Sequence, residues 1–143
     1  MNNENLPEEI NQALEELWLL LEKKERTYTN FQLNNQQYSI LTLIIRHPAS
    51  TPTELAEKMN ITKSAISQQL VKLEMEGYIY RKQHSEDKRT FSVELGKKGL
   101  LYKKEMERFM EQVSEKYYAS LSPEELTNFL SALQKLIKVF DKL

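Results

Sequence analysis

The chain has no cysteine, only three glycines and only four prolines in 143 residues. Without cysteine there is no disulfide scaffold, no thiolate metal site and no thiol redox switch, which fits a reducing compartment. So little Gly and Pro leaves few turns, which disfavours an all-β architecture. The longest apolar run, residues 17–21, is five residues long, against roughly 20 for a bilayer-spanning helix. The opening Met1-Asn2-Asn3-Glu4-Asn5 has neither a cationic nor an apolar signal region. A soluble, cytoplasmic protein with no membrane partner is expected. There are two histidines, His47 and His84, no glycine-rich phosphate loop, no Ser-His-Asp set and no poised carboxylate pair. Neither a metal, nor a cofactor, nor catalysis is expected.

Leu, Glu, Lys and Gln are abundant, and 40% of the residues are apolar. That composition suits a single, mostly helical domain, residues 1–143, with a core of its own. Twenty basic against twenty-one acidic groups give a net charge of −1. The sum hides a gradient. Residues 1–49 carry 4 basic and 7 acidic groups, residues 50–104 carry 11 and 7, and residues 105–143 carry 5 and 7, for net charges of −3, +4 and −2. A basic centre between acidic flanks suits a chain whose middle faces a polyanion, although chance clustering of solvated lysines gives the same pattern.

Ile10, Leu14, Leu17, Trp18 and Leu21 follow one helical face and predict a helix from Leu6 to about Tyr28. Asn34 with Gln37 is a variant capping box that opens a second helix over Tyr38, Ile40, Leu41, Ile44 and Ile45, stopped at His47 by Pro48. Thr51-Pro52-Thr53-Glu54 reads as a full capping box for a short third helix ending at Met59. Asn60 suits a left-handed stop and Thr62 a cap, so about three residues separate this helix from the next, as in a helix-turn-helix. The fourth helix runs from Lys63 to about Glu76, with Ile66, Leu70 and Leu73 inward and Gly77 ending it. The period then becomes two. Residues 78–83 and 90–95 form a hairpin, with Phe91, Val93 and Leu95 on one face and Thr90, Ser92 and Glu94 on the other. Gly96 caps a fifth helix to about Ala119, bearing Leu101, Met106, Phe109, Met110, Val113 and Tyr117. Ser122-Pro123-Glu124-Glu125 is a third capping box, before a helix striped with Leu126, Leu130, Leu133, Ile137 and Phe140.

The two faces of the fourth helix separate at about 100° per residue. Opposite Ile66, Leu70 and Leu73 stand Ser64, Gln68, Val71 and Met75, with Lys63, Ser67 and Lys72 towards the flanks. No acid precedes Glu74. Short polar groups without carboxylates suit a phosphate-lined groove, and a plain solvated surface is the competing account. At the hairpin tip Asp87 can hold the Arg89 guanidinium extended towards a narrow minor groove, with Lys88 left for phosphates. A local surface ion pair is the bland account. With the cap Thr62, the DNA-binding candidates are Thr62, Lys63, Ser64, Ser67, Gln68, Lys72, Asp87, Lys88 and Arg89.

Residues 51–99, TPTELAEKMNITKSAISQQLVKLEMEGYIYRKQHSEDKRTFSVELGKKG, resemble the MarR family of bacterial winged-helix transcription regulators. The likeness rests on Leu55 and Ala56, on Ile61-Thr62-Lys63-Ser64, on Leu73-Glu74 with Gly77, on Asp87-x-Arg89, and on Leu95 with Gly99. Residues 33–43, with Gln37, look like the family's second helix. The resemblance implies a mainly α fold with a small two-stranded β wing. A winged helix-turn-helix lobe at residues 34–99 would be flanked by dimerisation helices at 1–30 and 100–143. It also implies a homodimer on a palindromic operator in double-stranded DNA, with recognition helices in major grooves and wings in minor grooves, and a repressor is the expected role. Two departures stand out: Gln68 where the family commonly has Arg, and Gly96 where it commonly has a capping Thr. A Gln amide suits adenine where Arg suits guanine.

The apolar stripes of the first, fifth and last helices exceed what a small lobe needs, which independently favours pairing with a second copy. Such pairing would set the two reading heads about 34 Å apart. A long helix folding back on its own chain is the competing account. The family also implies a small aromatic or amphipathic effector, for which Trp18, Tyr38, His47 and Tyr102 are candidates, though aromatics on helical stripes are commonly plain core. The functional alternative is a winged-helix protein-interaction module that never touches DNA.

Overall fold

The computed structural model describes residues 3–84 and 90–143. A 3-10 turn at Asn3–Asn5 leads into α1 (Leu6–Tyr28), α2 (Asn35–Arg46), α3 (Pro52–Met59) and α4 (Lys63–Met75). The strands β1 (Ile79–Gln83) and β2 (Phe91–Leu95) follow, then α5 (Lys97–Lys116), a 3-10 turn at Tyr118–Ser120 and α6 (Pro123–Asp141). The class is the expected one, mainly helical with a two-stranded wing. The chain forms two compact units, residues 1–106 and residues 107–143, with α5 continuing from one into the other.

Local chemistry sets most of the boundaries. At α2 the Gln37 N–H donates to Asn34 Oδ1 at 2.8 Å while the Asn34 N–H donates to Gln37 Oε1 at 3.1 Å, closing the capping box. Ser122 and Glu125 close the same box at α6, at 3.1 and 3.0 Å. The box expected at Thr51 forms only by half: Thr51 Oγ1 accepts from the Glu54 N–H at 3.2 Å, and the exposed Glu54 carboxylate does not return the bond. Asn60 takes the left-handed conformation, φ 52° and ψ 47°, as its short amide side chain permits. Gly77, at φ +82°, ends α4 in a Schellman motif, with the Tyr78 N–H donating to Leu73 O at 2.9 Å and the Gly77 N–H to Glu74 O at 3.1 Å.

The core of the first unit joins Ile40, Leu41 and Ile44 of α2, Leu55 and Ala56 of α3, and Ile66, Leu70 and Leu73 of α4. Tyr78, Ile79, Val93 and Tyr102 close it from the wing and α5. Burying a Leu or Ile side chain fully contributes about 1.5–3 kcal/mol, so these contacts decide how α4 is rotated about its axis. β1 and β2 pair antiparallel from Ile79↔Leu95 to Gln83↔Phe91.

Three further features depart from the sequence expectation. Ser92, on the polar face of the period-2 strand, is buried, because its hydroxyl lies 2.7 Å from His84 Nε2 and donates to Glu94 Oε1 at 3.4 Å. Ser50 bridges to Val93, whose N–H donates to Ser50 O at 2.8 Å, adding a third short rung to the wing. The turn that delivers Ser50 places Ala49 at φ 64° and is tied by the Ser50 hydroxyl to His47 O at 2.6 Å. Third, α5 stops at Lys116 rather than near Ala119, and the Ser120 hydroxyl donates to Tyr117 O at 2.6 Å across the following 3-10 turn.

Gly96 stands before α5, its carbonyl accepting from the Leu100 N–H at 2.9 Å and its N–H donating to Tyr78 O at 2.8 Å. A Cβ there would lie 2.6 Å from Gly77 O, so this position serves close backbone approach rather than side-chain capping. Among the described residues no helix is long and apolar enough to cross a membrane, and no group of three His, Cys, Asp or Glu is placed to hold a metal ion.

Candidate nucleic-acid interface

Asn60, Ile61 and Thr62 alone separate α3 from α4. Ile61 packs against the core, and Thr62 caps α4 by accepting the Ala65 N–H on Oγ1 at 3.1 Å. That hydroxyl stands at a helix N-terminus, whose dipole favours anions. With Ile66, Leu70 and Leu73 each at most 2% exposed, helix geometry turns Ser64, Gln68, Val71 and Met75 outward, and all four are exposed. Lys63, Ser67 and Lys72 are exposed beside them. Six of the nine DNA-binding candidates, Thr62, Lys63, Ser64, Ser67, Gln68 and Lys72, therefore lie on one accessible stretch. The other three, Asp87, Lys88 and Arg89, fall outside the described residues.

The first acid on α4 does not face this surface unpaired. Arg81 Nε of β1 donates to Glu74 Oε2 at 2.8 Å, and the guanidinium carbon lies 4.8 Å from the centre of the Phe91 ring. Both charged groups are partly exposed, so the pair adds little stability. What it does is tie the end of α4 to the wing and neutralise a carboxylate that would repel phosphate. Sequence reasoning passed over Arg81, although Glu74 and Arg81 bracket the Gly77 turn with opposite charges. Lys82, the next residue on β1, is a further exposed cation of the wing.

On its other flank α4 is tied to α2, where Gln69 Nε2 donates to Gln36 Oε1 at 3.0 Å. The buried Gln69 Oε1 has no partner among the described residues, and no spacing rule links positions 33 residues apart. At the neck of the wing the His84 N–H donates to Thr90 O at 3.3 Å, and its ring bonds Ser92.

The four effector candidates do not share a site. Tyr38 and Tyr102 meet edge-on at 6.4 Å between centroids, with Phe31 edge-on to Tyr102 at 5.2 Å and to Tyr78 at 6.2 Å. Trp18, in contrast, is 67% exposed on α1, and His47 is exposed at the end of α2. Burial raises the Tyr102 hydroxyl above the ordinary tyrosine range, reinforced by Tyr38, Glu25 and Tyr78. Burial raises Tyr38 as well, with the Glu25 charge adding and Arg46 opposing. Glu25 is raised by burial and by Glu22, against Arg26.

The MarR family model matches residues 33–91, from just before α2 through β1 to the first residue of β2. The HTH-type transcriptional regulator YwhA of Bacillus subtilis is 30% identical over 104 residues, spanning 73% of this chain and 75% of that protein. The HTH-type transcriptional repressor YetL of the same organism is 34% identical over 88 residues, 60% of this chain and 51% of that protein. Among solved structures, Streptococcus pneumoniae FabT in complex with DNA superposes with a TM-score of 0.77 at 24% identity, covering 94% of this chain and 97% of that one. A capped helix-turn-helix, an acid-free outward face on its second helix and a paired wing, in this order and with these relatives, place the chain in the MarR family of transcriptional regulators rather than among enzymes.

Proposed function

We propose that the protein is a sequence-specific, double-stranded-DNA-binding repressor that acts in the cytoplasm as a homodimer on a palindromic operator. The observation that carries this reading is the outward face of α4, where Thr62, Lys63, Ser64, Ser67, Gln68 and Lys72 are exposed with no acid among them. Lys63, Lys72 and Lys88 serve phosphates, Ser64, Ser67 and Gln68 reach base edges, and Arg89, with Asp87 as its partner, is the residue assigned to the minor groove. Repression is favoured by the named activity of YetL.

A second copy is called for by apolar surface that the chain leaves in water. No residue of α1 or of α6 is buried; Leu17, Trp18 and Leu20 on α1, and Leu130, Ile137 and Phe140 on α6, are 47–69% exposed. Covering such faces is the dominant favourable term in subunit association. A small aromatic effector would act near Tyr38 and Tyr102, where uncharged hydroxyls lie among aromatic edges.

Selection of bound duplexes from a random pool, followed by gel shift at low and high salt, tests the DNA reading. The expected result is an enriched palindrome whose affinity falls by about a thousandfold or more between 50 and 200 mM salt. Sedimentation velocity tests the dimer. An absence of duplex binding even at low salt favours the alternative, a winged-helix module that docks an acidic protein partner.

A further inference from the structure

Two apolar side chains occupy the outward face of α4 without a folding role: Val71 is 45% exposed, Met75 is 82% exposed, and neither packs on the core. A β-branched residue on an exposed helix face is a poorer helix former than the Lys or Gln that solvent would favour there. Val71 lies three residues beyond Gln68, hence on the same face. It stands about 4.5 Å further along the axis, close to the roughly 3.4 Å step between base pairs. Met75 lies about 10.5 Å along, beyond that neighbour and past the Glu74 carboxylate. The surroundings of Val71 suit DNA rather than an apolar protein: Lys72 follows it, and no acid precedes Glu74 on the helix.

The major groove offers one apolar group, the 5-methyl of thymine, and thymine is the partner of the adenine that a Gln amide reads best. We propose that Val71 is a specificity-determining residue, packing its isopropyl group on a thymine 5-methyl in the base pair read by Gln68 or in its neighbour. This rests on the DNA-binding reading and adds to it a chemical class of operator: an A·T-containing step at the centre of each recognition-helix footprint. Methyl and isopropyl exclude water from one another, so cytosine, with no methyl and an exposed amino group, is rejected at that position.

Deoxyuridine differs from thymidine by that methyl alone, which gives the test. In the selected duplex each thymine of a half-site is replaced in turn by deoxyuridine, symmetrically in both halves. One position should lower the affinity of the parent by roughly fifteenfold, about fourfold for each methyl. Val71→Ala should bind the thymine duplex about that much more weakly, respond far less to the deoxyuridine change, and retain the parent's affinity for random duplex and its salt dependence. Val71→Ile should keep the methyl response. The inference is overturned if no thymine position matters to the parent, if the selected half-site lacks thymine, or if Val71→Ala keeps the full methyl response. Failure to bind any duplex overturns the DNA reading as well, and is told apart by the random-duplex control.

Discussion

Replacing Gly99 with Ala sets two physical rules against each other. Gly99 lies in the first turn of α5, where Ala is favoured over Gly by up to about 1 kcal/mol on helix propensity alone. Its added Cβ, however, would stand 2.1 Å from Tyr78 O and 3.0 Å from a Leu95 methyl. Ordinary contact begins near 3.4 Å, so about 1.3 Å of retreat is needed. The Tyr78 peptide is poorly able to supply it. Its carbonyl accepts from the Gly96 N–H at 2.8 Å, its N–H closes the turn after α4 on Leu73 O, and its ring is buried at 1% exposure. Overpacking a site of this kind costs about 1–3 kcal/mol, and a lost backbone hydrogen bond about 1 kcal/mol more. Set against the propensity gain, Gly99→Ala should destabilise the protein by about 2 kcal/mol. Urea unfolding followed by circular dichroism, at one protein concentration because self-association would make the midpoint depend on it, reads the difference directly. A variant as stable as the parent, or more so, refutes the argument that α5 is docked on the Tyr78 carbonyl through a glycine.

Other consequences follow from the same geometry. Gln68→Ala should leave folding untouched and relax base preference at one position per half-site by about 1–3 kcal/mol, measured by competition between selected and substituted duplexes. Arg81→Ala should cost at most about 1 kcal/mol of stability, because the Glu74 pair and the Phe91 contact are partly exposed. It should nonetheless weaken duplex binding by roughly tenfold, by freeing the Glu74 carboxylate beside the phosphates, and adding Glu74→Gln should restore most of that loss. Above about pH 10 the unfolded chain loses the Tyr102 proton that the native state retains, so this group makes stability fall with rising pH by about 1.4 kcal/mol per unit. Below that pH both states hold the proton and its contribution is constant. Alkaline unfolding of Tyr102→Phe should accordingly show a shallower decline than the parent.

Much of the fold was legible because its causes are local. Asn34 with Gln37, and Ser122 with Glu125, meet across one helical turn, so the box can be read from spacing three residues apart. Asn60 and Gly77 announce left-handed stops for the same reason. Ile66, Leu70 and Leu73 give the phase of α4, and with it the candidate recognition face. The parts that were not legible depend on partners distant in the chain. Ser92 alternates correctly with Val93, yet whether its face meets water depends on His84 across the hairpin, with Glu94 adding a bond from the same strand. Ser50 enters the sheet through a left-handed Ala49, a conformation that alanine composition does not advertise. The Gln69 bond to Gln36 and the Arg81 bond to Glu74 tie α4 to its neighbours, and neither follows from periodicity.

The contrast between α4 and α1 shows where periodicity stops being informative. Both carry apolar residues at helical spacing. In α4 the chain itself supplies the opposing surface from α2, α3 and the wing, and Ile66, Leu70 and Leu73 disappear from water. In α1 the same pattern leaves Ile10, Leu14 and Leu17 between 46% and 48% exposed, with no buried residue along 23 positions. A stripe therefore states that a face needs covering and is silent on what covers it. On α4 the uncovered remainder is small and polar except for Val71 and Met75, dimensions suited to a groove edge. On α1 and α6 it is long and apolar, which only another extended apolar surface can match. The two kinds of leftover surface thus differ in what would cover them: the proposed function assigns the first to a charged, grooved polymer and the second to another copy of the chain.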